Sequence, residues 1–296
     1  MQKIGWGGNS MLSARLIQSA STFGKEFSKS LAMARLRVIP LEFQRKIDID
    51  FKIKHLRVKT IENSSELRQV LALRHKVFKL EFSKKILCIA SDWEPLDSEA
   101  DHLTIIDEKN PMKPRIVGVY RLLHSGAAKK FYSETEFDIG HFLSTKGLKL
   151  ELSRACIDQE YRNGIVIALL WKGLAEYAKR IHAEWLFGLS SVSTTCLEEI
   201  ISLHRHFSES NLIDKQFRIL PESEYKIPSF DRAYLASPAS PTHFDAQLIP
   251  PLLKSYINAG ARICSQPVID REFACCDWFT ILNLSQLTSK YEKKFM

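Results

Sequence analysis

The chain lacks any uninterrupted apolar run of the roughly 20 residues that a membrane-spanning helix needs. Its first residues also lack the compact apolar block and small-residue cleavage site of a secretory signal peptide. Core-forming residues are not scarce, because 45% of the 296 residues are hydrophobic. The sequence therefore predicts a cytoplasmic protein with enough apolar surface to bury a sizeable core.

Cysteines are few and irregularly spaced. The chain has six, and no CxxC pair accompanies a histidine pair. This spacing does not support a zinc site and gives no disulfide framework. Most of the cysteines have apolar neighbours, as reduced core cysteines do, which agrees with a reducing compartment. We therefore expect no metal and no bound cofactor.

Acidic residues are scarce at one end of the chain. Residues 1–47 contain eight Lys or Arg and only two Glu, while the whole chain has a net charge of +8. A basic surplus confined to one end favours an anionic surface as a partner. Because no helix-turn-helix, zinc-finger or aromatic strand signature accompanies the charge, we do not expect nucleic-acid binding.

Residues 1–50 are predicted to form a basic helical extension ahead of a main domain at residues 51–296. Apolar side chains recur at helical intervals between Met11 and Leu36, with charged residues between them, which predicts one or two amphipathic helices. Such a helix can lie on an anionic membrane. It can equally pack on the main domain or on a second subunit, or serve as a transit peptide.

From residue 55 onwards the hydrophobic pattern predicts strands interspersed with helices. We expect strands at 55–62, 102–107, 115–123, 149–158, 185–189 and 274–282, and helices at 64–80, 163–181, 194–207 and 246–258. Ser64 or Ser65 is the expected cap of the first helix, and Gly260 is the expected stop of the last. This order indicates an α/β (α+β) fold with one mixed sheet covered by helices.

The strongest local signal is a strand that ends at Asp158, a turn, and an amphipathic helix that begins after Gly164. The first N–H groups of a helix have no intrahelical partner and, with the helix dipole, can bind a pyrophosphate. Gly164 permits close approach of a phosphate, and Arg162 can add a charge-assisted contact. A purely structural turn remains an alternative, because glycine is common at strand-to-helix turns.

The order of elements resembles the GNAT superfamily of acyltransferases. Several motifs are similar to one branch of it, which includes ornithine-lipid-type N-acyltransferases, long-chain N-acyl amino acid synthases and, more distantly, acyl-homoserine-lactone synthases. The motifs span about residues 55–285 and are Leu73–Phe78, Asp101–His102, Gly118–Leu123, Phe131–Asp138, Glu151–Arg154, Pro250–Tyr256, and Asp270 with Phe273. The resemblance implies a GNAT fold in which the donor's phosphopantetheine lies between two splayed strands, here 149–158 and 185–189.

The resemblance also implies which residues contact the donor. The phosphopantetheine would lie against the end of the first splayed strand and the turn after it, at Ile157, Arg162, Asn163, Gly164 and Ile165. This turn has Arg162 but only one of the usual glycines. It is therefore more similar to members that take acyl chains from acyl carrier protein than to standard acetyl-CoA enzymes.

Glu151 aligns with the glutamate that the resemblance marks as catalytic. Because an amine is mostly protonated near neutral pH, it must lose a proton before it attacks a thioester, and Glu151 is the expected general base. A salt bridge with Arg154 is its alternative role. Arg154 and Arg121 either hold the acceptor's carboxylate or fix Glu151 and the acid-rich loop at residues 92–101, here called the acidic loop. His102 is either a second proton acceptor or a structural histidine.

The remaining candidates are acceptor-binding residues, namely Arg74, Asp101, Glu136 and Asp138. Arg74 has an alternative role as an ion-pair partner of the loop at 92–101, and Glu136 and Asp138 can instead cap a helix. The oxyanion of the reaction would be stabilised by backbone N–H groups beside a strand bulge, for which residues 157–158 are the natural place.

The leading hypothesis is an N-acyltransferase that moves a medium or long acyl chain from acyl carrier protein, or from acyl-CoA, to an amino acid such as ornithine. The product would be a lyso-aminolipid or an N-acyl amino acid. The expected partners are acyl carrier protein, the amino-acid acceptor and, at the periphery, an anionic membrane. An acetyl-CoA-dependent N-acetyltransferase is one alternative. A non-catalytic module that binds acyl carrier protein or a membrane is the other.

Overall fold

The computed structural model describes residues 43–81, 92–237 and 245–287. The helical extension predicted between Met11 and Leu36, together with Cys88, lies outside these residues. Within the described ranges, no helix combines the length and the apolar character that a membrane crossing requires.

One large sheet organises the described part of the chain. Its strands in chain order are β1 (Asp50–Ile53), β2 (Leu56–Thr60), β3 (Asp101–Asp107), β4 (Arg115–His124), β6 (Leu148–Ile157), β7 (Ala183–Val192), β9 (Arg262–Ile263), β10 (Val268–Asp270) and β11 (Cys275–Asn283). Their spatial order is β1-β2-β3-β4-β6-β7-β11-β10, with β9 also paired to β11. A separate pair joins β5 (Phe137–Asp138) to β8 (Leu220–Pro221). All pairs are antiparallel except β6 and β7, which run parallel.

Helices cover both faces of the sheet. They are α1 (Ser64–Glu81), α2 (Leu96–Glu99), α3 (Gly140–Ser144), α4 (Ile165–Arg180), α5 (Leu197–Glu209), α6 (Phe230–Ala236) and α7 (Pro251–Ala259). On β4, Val117 packs in the cluster that contains α4, while Ile116 packs in the cluster that contains α1. Because neighbouring strand residues point to opposite faces, α1 and α4 lie on opposite sides of the sheet. The predicted mixed sheet flanked by helices is confirmed.

Helix α4 is held against its face by a regular apolar stripe. Val166, Leu170 and Leu174 follow one another at intervals of four residues, and each is at most 1% exposed. This spacing places the three side chains on one side of the helix. The fit against the sheet is close, because a Cβ on Gly118 of β4 would lie 2.7 Å from Val166 Cγ1.

Two predicted helix starts differ from the structure for clear reasons. Helix α1 is capped by Asn63, whose Oδ1 accepts the N–H groups of Ser65 and Glu66 at 3.0 Å, and not by Ser64 or Ser65. The helix predicted at 246–258 begins only at Pro251. A 3₁₀ turn precedes it. The helix cannot begin earlier, because proline is tolerated at the first helical position but not further inside a helix.

The end of α7 agrees with the prediction, whereas β7 is longer than predicted. Gly260 stops α7 with a φ of +109°, as expected. Strand β7 continues past the predicted end at Leu189 to Val192, because it stays paired with β11 as far as Cys276.

Strands β6 and β7 separate after their first few residues. Their parallel pairing reaches only Glu151 and Phe187. Beyond that point β6 stays paired with β4, and β7 with β11. The two strands therefore part as a V. Gly188 lies at its apex, where a Cβ would be 2.3 Å from the carbonyl oxygen of Leu152.

We expect Gly188→Ala to lower the free energy of unfolding by about 1–3 kcal/mol, the usual cost of overpacking. The added methyl would collide with the backbone of β6, which cannot rotate away as a side chain can. Urea unfolding followed by circular dichroism measures the change. Gly126→Ala is the control, because the nearest atoms to its Cβ belong to the His124 side chain, at 3.2 Å. Equal unfolding midpoints for the two variants would contradict the close approach.

Candidate active site

A cleft of about 660 Å³ opens where β6 and β7 part. Small-molecule sites usually measure roughly 300–1,000 Å³. One part of the lining, here called the apolar arm, consists of Leu152, Ile157, Ile167, Leu170, Leu189, Leu252, Leu253 and Tyr256. Another part is polar and includes Tyr132, Glu136, Arg154, Ser191, Asp270 and Asp277. The cleft therefore combines an apolar lining with charged groups.

A bulge in β6 lies at Arg154 and Ala155. Val119 of β4 pairs with Cys156, whereas Arg121 pairs with Ser153, so β6 has one residue more than β4 here. Such a bulge leaves local backbone groups outside the ladder. It lies before residues 157–158, the predicted place of the oxyanion donors, and the N–H of residue 158 donates to a carbonyl of β4 at 2.9 Å.

Arg154 borders the cleft among acidic and aromatic side chains. Its φ of +51° lies in the left-handed region, which is costly for a residue with a Cβ. Nη2 pairs with Glu94, and Nε lies 4.0 Å from Asp92 Oδ1. The guanidinium lies 4.5 Å from the ring centroid of Tyr132 and 5.3 Å from that of Phe273. Burial lowers the pKa of Arg154 to about 10, so the side chain remains a cation at neutral pH.

Arg74 and Arg121 form a buried ion-pair network and do not line the cleft. Arg74 Nε lies 2.5 Å from Asp92 Oδ2, and its Nη1 lies 2.6 Å from Asp97 Oδ1. Arg121 Nη1 lies 2.8 Å from Glu94 Oε2 and 3.2 Å from Asp97 Oδ1. These contacts match the alternative role, in which the arginines order the acidic loop instead of binding a substrate.

Glu151 is fully buried and is not among the residues that line the cleft. Its Oε1 accepts the N–H and the hydroxyl of Ser133 at 2.7 and 2.6 Å, and its Oε2 accepts the N–H of Tyr132 at 2.9 Å. Burial raises the pKa of Glu151, and these hydrogen bonds oppose the rise. Among the described ion pairs, Arg154 joins Glu94 and Asp92 and not Glu151. Glu151 thus fixes the turn that carries Tyr132.

His102 and Asp101 are both fully buried and do not line the cleft. His102 Nε2 lies 2.9 Å from the carbonyl oxygen of Asp97, and burial lowers the pKa of His102 to about 4. Asp101 accepts the N–H groups of Lys46 and residue 47 and the hydroxyl of Tyr177. These contacts match the structural alternative for His102 and connect Asp101 to the segments around the start of β3.

Three carboxylates, here called the acidic recess, line the polar part of the cleft: Glu136, Asp270 and Asp277. They are 1%, 6% and 2% exposed. Burial first, and then the neighbouring carboxylates, raise the pKa of Glu136 and Asp277. Asp270 Oδ1 accepts the N–H groups of Glu272 and Phe273. The sequence indicates Glu136 as an acceptor contact but does not single out Asp277. The signal that identifies Asp277 is a single charged residue in an otherwise apolar strand, because charged residues are rarely buried without a partner.

The predicted donor-binding turn meets the cleft only in part. Ile157, Arg162 and Gly164 line it, whereas Asn163 and Ile165 do not. Arg162 donates to the carbonyl oxygen of Ile157 at 3.1 and 3.0 Å from Nε and Nη2, and it pairs with a glutamate of α1. Arg162 therefore already has partners within the protein.

The N-terminus of α4 nevertheless keeps groups that can bind an anion. Gly164 precedes the helix with a φ of +89°, in the left-handed region that favours glycine. Asn163 Oδ1 accepts the N–H of Ile165 at 3.1 Å. The next N–H groups have no intrahelical partner and point outward at the positive end of the helix dipole.

The predicted acceptor contact Asp138 does not reach the cleft, whereas Cys156, which is not among the predicted site residues, does. Asp138 is exposed, caps Gly140 with a 3.0 Å hydrogen bond, and does not line the cleft. Cys156 does line the cleft, but burial raises the pKa of its thiol well above the ordinary value. Because the thiolate is the nucleophilic form, Cys156 is not an activated nucleophile.

Comparison with known proteins identifies relatives along most of the chain. A family model described as "Acetyltransferase (GNAT) domain" matches residues 73–172. L-ornithine N(alpha)-acyltransferase of Brucella abortus is 30% identical over 255 residues, which cover 81% of this chain and 88% of that protein. The protein of the same name from Rhizobium meliloti is 28% identical over 258 residues, covering 82% of this chain and 85% of that protein.

Among solved structures, the loading GNATL domain of CurA from Lyngbya majuscula is 15% identical, with a TM-score of 0.41, and covers 78% of this chain and 98% of that domain. The residues that match the GNAT family model include β6, the bulge and the start of α4, where the cleft opens. The two sequence relatives extend the match over about four fifths of the chain. The chain therefore belongs to the family of GNAT acyltransferases that includes these two proteins, and it is an enzyme that transfers acyl groups.

Proposed function

We propose that this enzyme transfers a medium or long acyl chain from a thioester donor to the α-amine of ornithine. The observation that carries the proposal is the cleft at the parting of β6 and β7, whose lining includes both the apolar arm and charged side chains. The acceptor is suggested by the relatives, two of which are named L-ornithine N(alpha)-acyltransferase. The product would be an N-acyl amino acid, which is a lyso-aminolipid when the chain is long.

The donor's acyl chain is assigned to the apolar arm. Burial of each methylene contributes about 0.8 kcal/mol, so an arm lined by leucine and isoleucine favours a longer chain over an acetyl group. The free N–H groups at the start of α4 suit the phosphate of a phosphopantetheine. We infer acyl carrier protein as the carrier because the turn keeps only Gly164 of the usual glycines. Acyl-CoA contains the same phosphopantetheine group and is the competing donor.

Arg154 is assigned to the carboxylate of the acceptor. Its guanidinium borders the cleft, and its Nε has no hydrogen-bond partner among the described residues. Guanidinium presents paired donors that match a carboxylate. Arg74 and Arg121 act as positioning residues in this scheme, because they hold the acidic loop whose Glu94 contacts Arg154.

The proposed reaction needs no covalent enzyme intermediate. The neutral amine attacks the thioester carbon, the carbon–sulfur bond breaks, and the proton lost by nitrogen ends on the donor's thiol. The tetrahedral intermediate carries a negative oxygen, whose stabilisation we assign to backbone N–H groups at the Arg154–Ala155 bulge. One such donor is typically worth about 10²–10³ in rate.

We expect the purified enzyme to form N-acylornithine from a long-chain acyl donor and ornithine. Mass spectrometry of the products, with acyl carrier protein and CoA thioesters of matched chain length and with acetyl-CoA, tests the reaction and identifies the donor. Expression in a bacterium without amino-acid lipids provides the cellular counterpart. Preference for acetyl-CoA would contradict a long-chain transferase, and no product with any donor would contradict the proposed acceptor.

Arg154→Gln is expected to lower kcat/KM for ornithine by at least about tenfold, equivalent to ~1.4 kcal/mol. The loss should appear chiefly as a higher KM for the acceptor, because the shorter and uncharged amide cannot form an ion pair with its carboxylate. The KM for the acyl donor should change little. Arg180→Gln, on the exposed end of α4, is the control. An unchanged KM for ornithine in Arg154→Gln would refute the carboxylate contact.

Glu151→Gln is expected to lower the free energy of unfolding by about 1–3 kcal/mol, because the new NH₂ group cannot accept hydrogen bonds and leaves a buried donor unpaired. Thermal unfolding and kcat/KM should be measured on the same preparation. Glu134→Gln is the control from the same turn, since its exposed carboxylate accepts one hydrogen bond, from the N–H of Phe131. Full stability with complete loss of acyl transfer would instead identify Glu151 as the general base.

A further inference from the structure

The acidic recess brings three carboxyl groups together at the cleft. Glu136, Asp270 and Asp277 border the cleft, and each is more than nine-tenths buried. Buried carboxylates are normally paired with a cation or satisfied by hydrogen bonds. Glu136 and Asp277 lie within hydrogen-bond reach of each other, which requires a proton shared between the two carboxyl groups. Glu136 Oε2 and Asp277 Oδ1 have no other hydrogen-bond partner among the described residues. An ammonium ligand can supply donors to both groups in place of that proton.

The cation beside the recess forms its ion pairs away from it, and its buried Nε has no hydrogen-bond partner within the described part of the chain. Arg154 interacts with the charges of Asp270 and Asp277, but its ion pairs are with Glu94 and Asp92 of the acidic loop. The donors to Asp277 are neutral, namely a serine and the thiol of Cys275 at 3.4 Å. Among the described residues, no Lys or Arg forms an ion pair with the recess, which suits it to a cationic ligand.

We propose that the acidic recess binds the side-chain ammonium of a dibasic acceptor and so selects ornithine over amino acids that lack a second amine. This inference rests on the proposed function, in which the α-amine is acylated. An ammonium group carries three donors and can contact Glu136, Asp270 and Asp277 together. With this group in the recess and the α-carboxylate at Arg154, both ends of ornithine are held. Its α-amine is then left free to reach the thioester.

A divalent metal is the competing occupant of the recess. One ligand atom each from Asp270, Cys275 and Asp277 lie within 4.8 Å of one another. A metal at this position would need Cys275 as a thiolate ligand, whereas an ammonium needs only the carboxyl groups. The proposed function also brings an amine to this cleft, so we take ammonium as the occupant and metal as an outcome of the test.

Binding without an acyl donor tests the inference independently of turnover. Calorimetry should show that the enzyme binds ornithine about 10- to 100-fold more tightly than norvaline, which lacks only the side-chain amine. Asp277→Asn should bring the two affinities close together by weakening ornithine alone. The fold should persist in this variant, because burial already disfavours the charged form of Asp277 and the amide has nearly the same size. The melting temperature checks this. Asp231→Asn, an exposed carboxylate elsewhere, should keep the wild-type ratio.

Turnover assays with the same two amino acids separate the possible failures. Equal kcat/KM and equal affinity for ornithine and norvaline would overturn the recess assignment and leave N-acyl transfer standing. Tighter binding of ornithine with no acylation of either amino acid would support the recess and refute the proposed function. If Mn²⁺ or Zn²⁺ raised the melting temperature, EDTA reversed it and ornithine had no effect, the recess would be a metal site and the inference wrong.

Discussion

The pairing between β6 and β7 ends at Glu151 and Phe187, and the cleft exists because it ends there. Each strand remains paired on its outer side, so the sheet opens without losing its other ladders. The inner edges beyond this point carry backbone N–H and C=O groups, which are costly to bury without partners. An extended ligand that contains amides, such as a phosphopantetheine, can supply them. Helix α4 connects the two strands, so its N-terminus lies at the mouth of the same opening.

The charged end of the cleft depends on a second constraint, the buried arginines of α1 and β4. Arg74 and Arg121 hold Asp97 from two directions, and Arg121 also contacts Glu94. A buried ion pair is weak evidence for net stability, because desolvation offsets most of the attraction. Its value here is orientation, since Glu94 in turn contacts Arg154 at the bulge. Residues that appear catalytic from their motifs can therefore act one contact away from the substrate.

The sequence predicts the fold well and the site only in part. The hydrophobic pattern predicts helices α1 and α4 and strands β3 and β4, because each has a long apolar face. The short edge strand β1 gives no such signal. Glu151 illustrates the limit. Its motif marks it as important, but only its hydrogen bonds to Ser133 and Tyr132 reveal which group it serves. Asp277 reaches the cleft through pairing between distant strands, which no local pattern encodes.

The two ends of the cleft should differ in how strictly they select. In the apolar arm, a chain longer or shorter by one methylene changes binding by about 1–3 kcal/mol at most, since apolar contacts are non-directional. A polar site rejects an analogue that leaves its groups unpaired far more strongly, because buried polar atoms are costly without partners. If Arg154 and the acidic recess contact the acceptor, the identity of the amine is controlled at that end. The acyl chain can then vary with whatever the donor pool supplies, while the amino acid stays fixed.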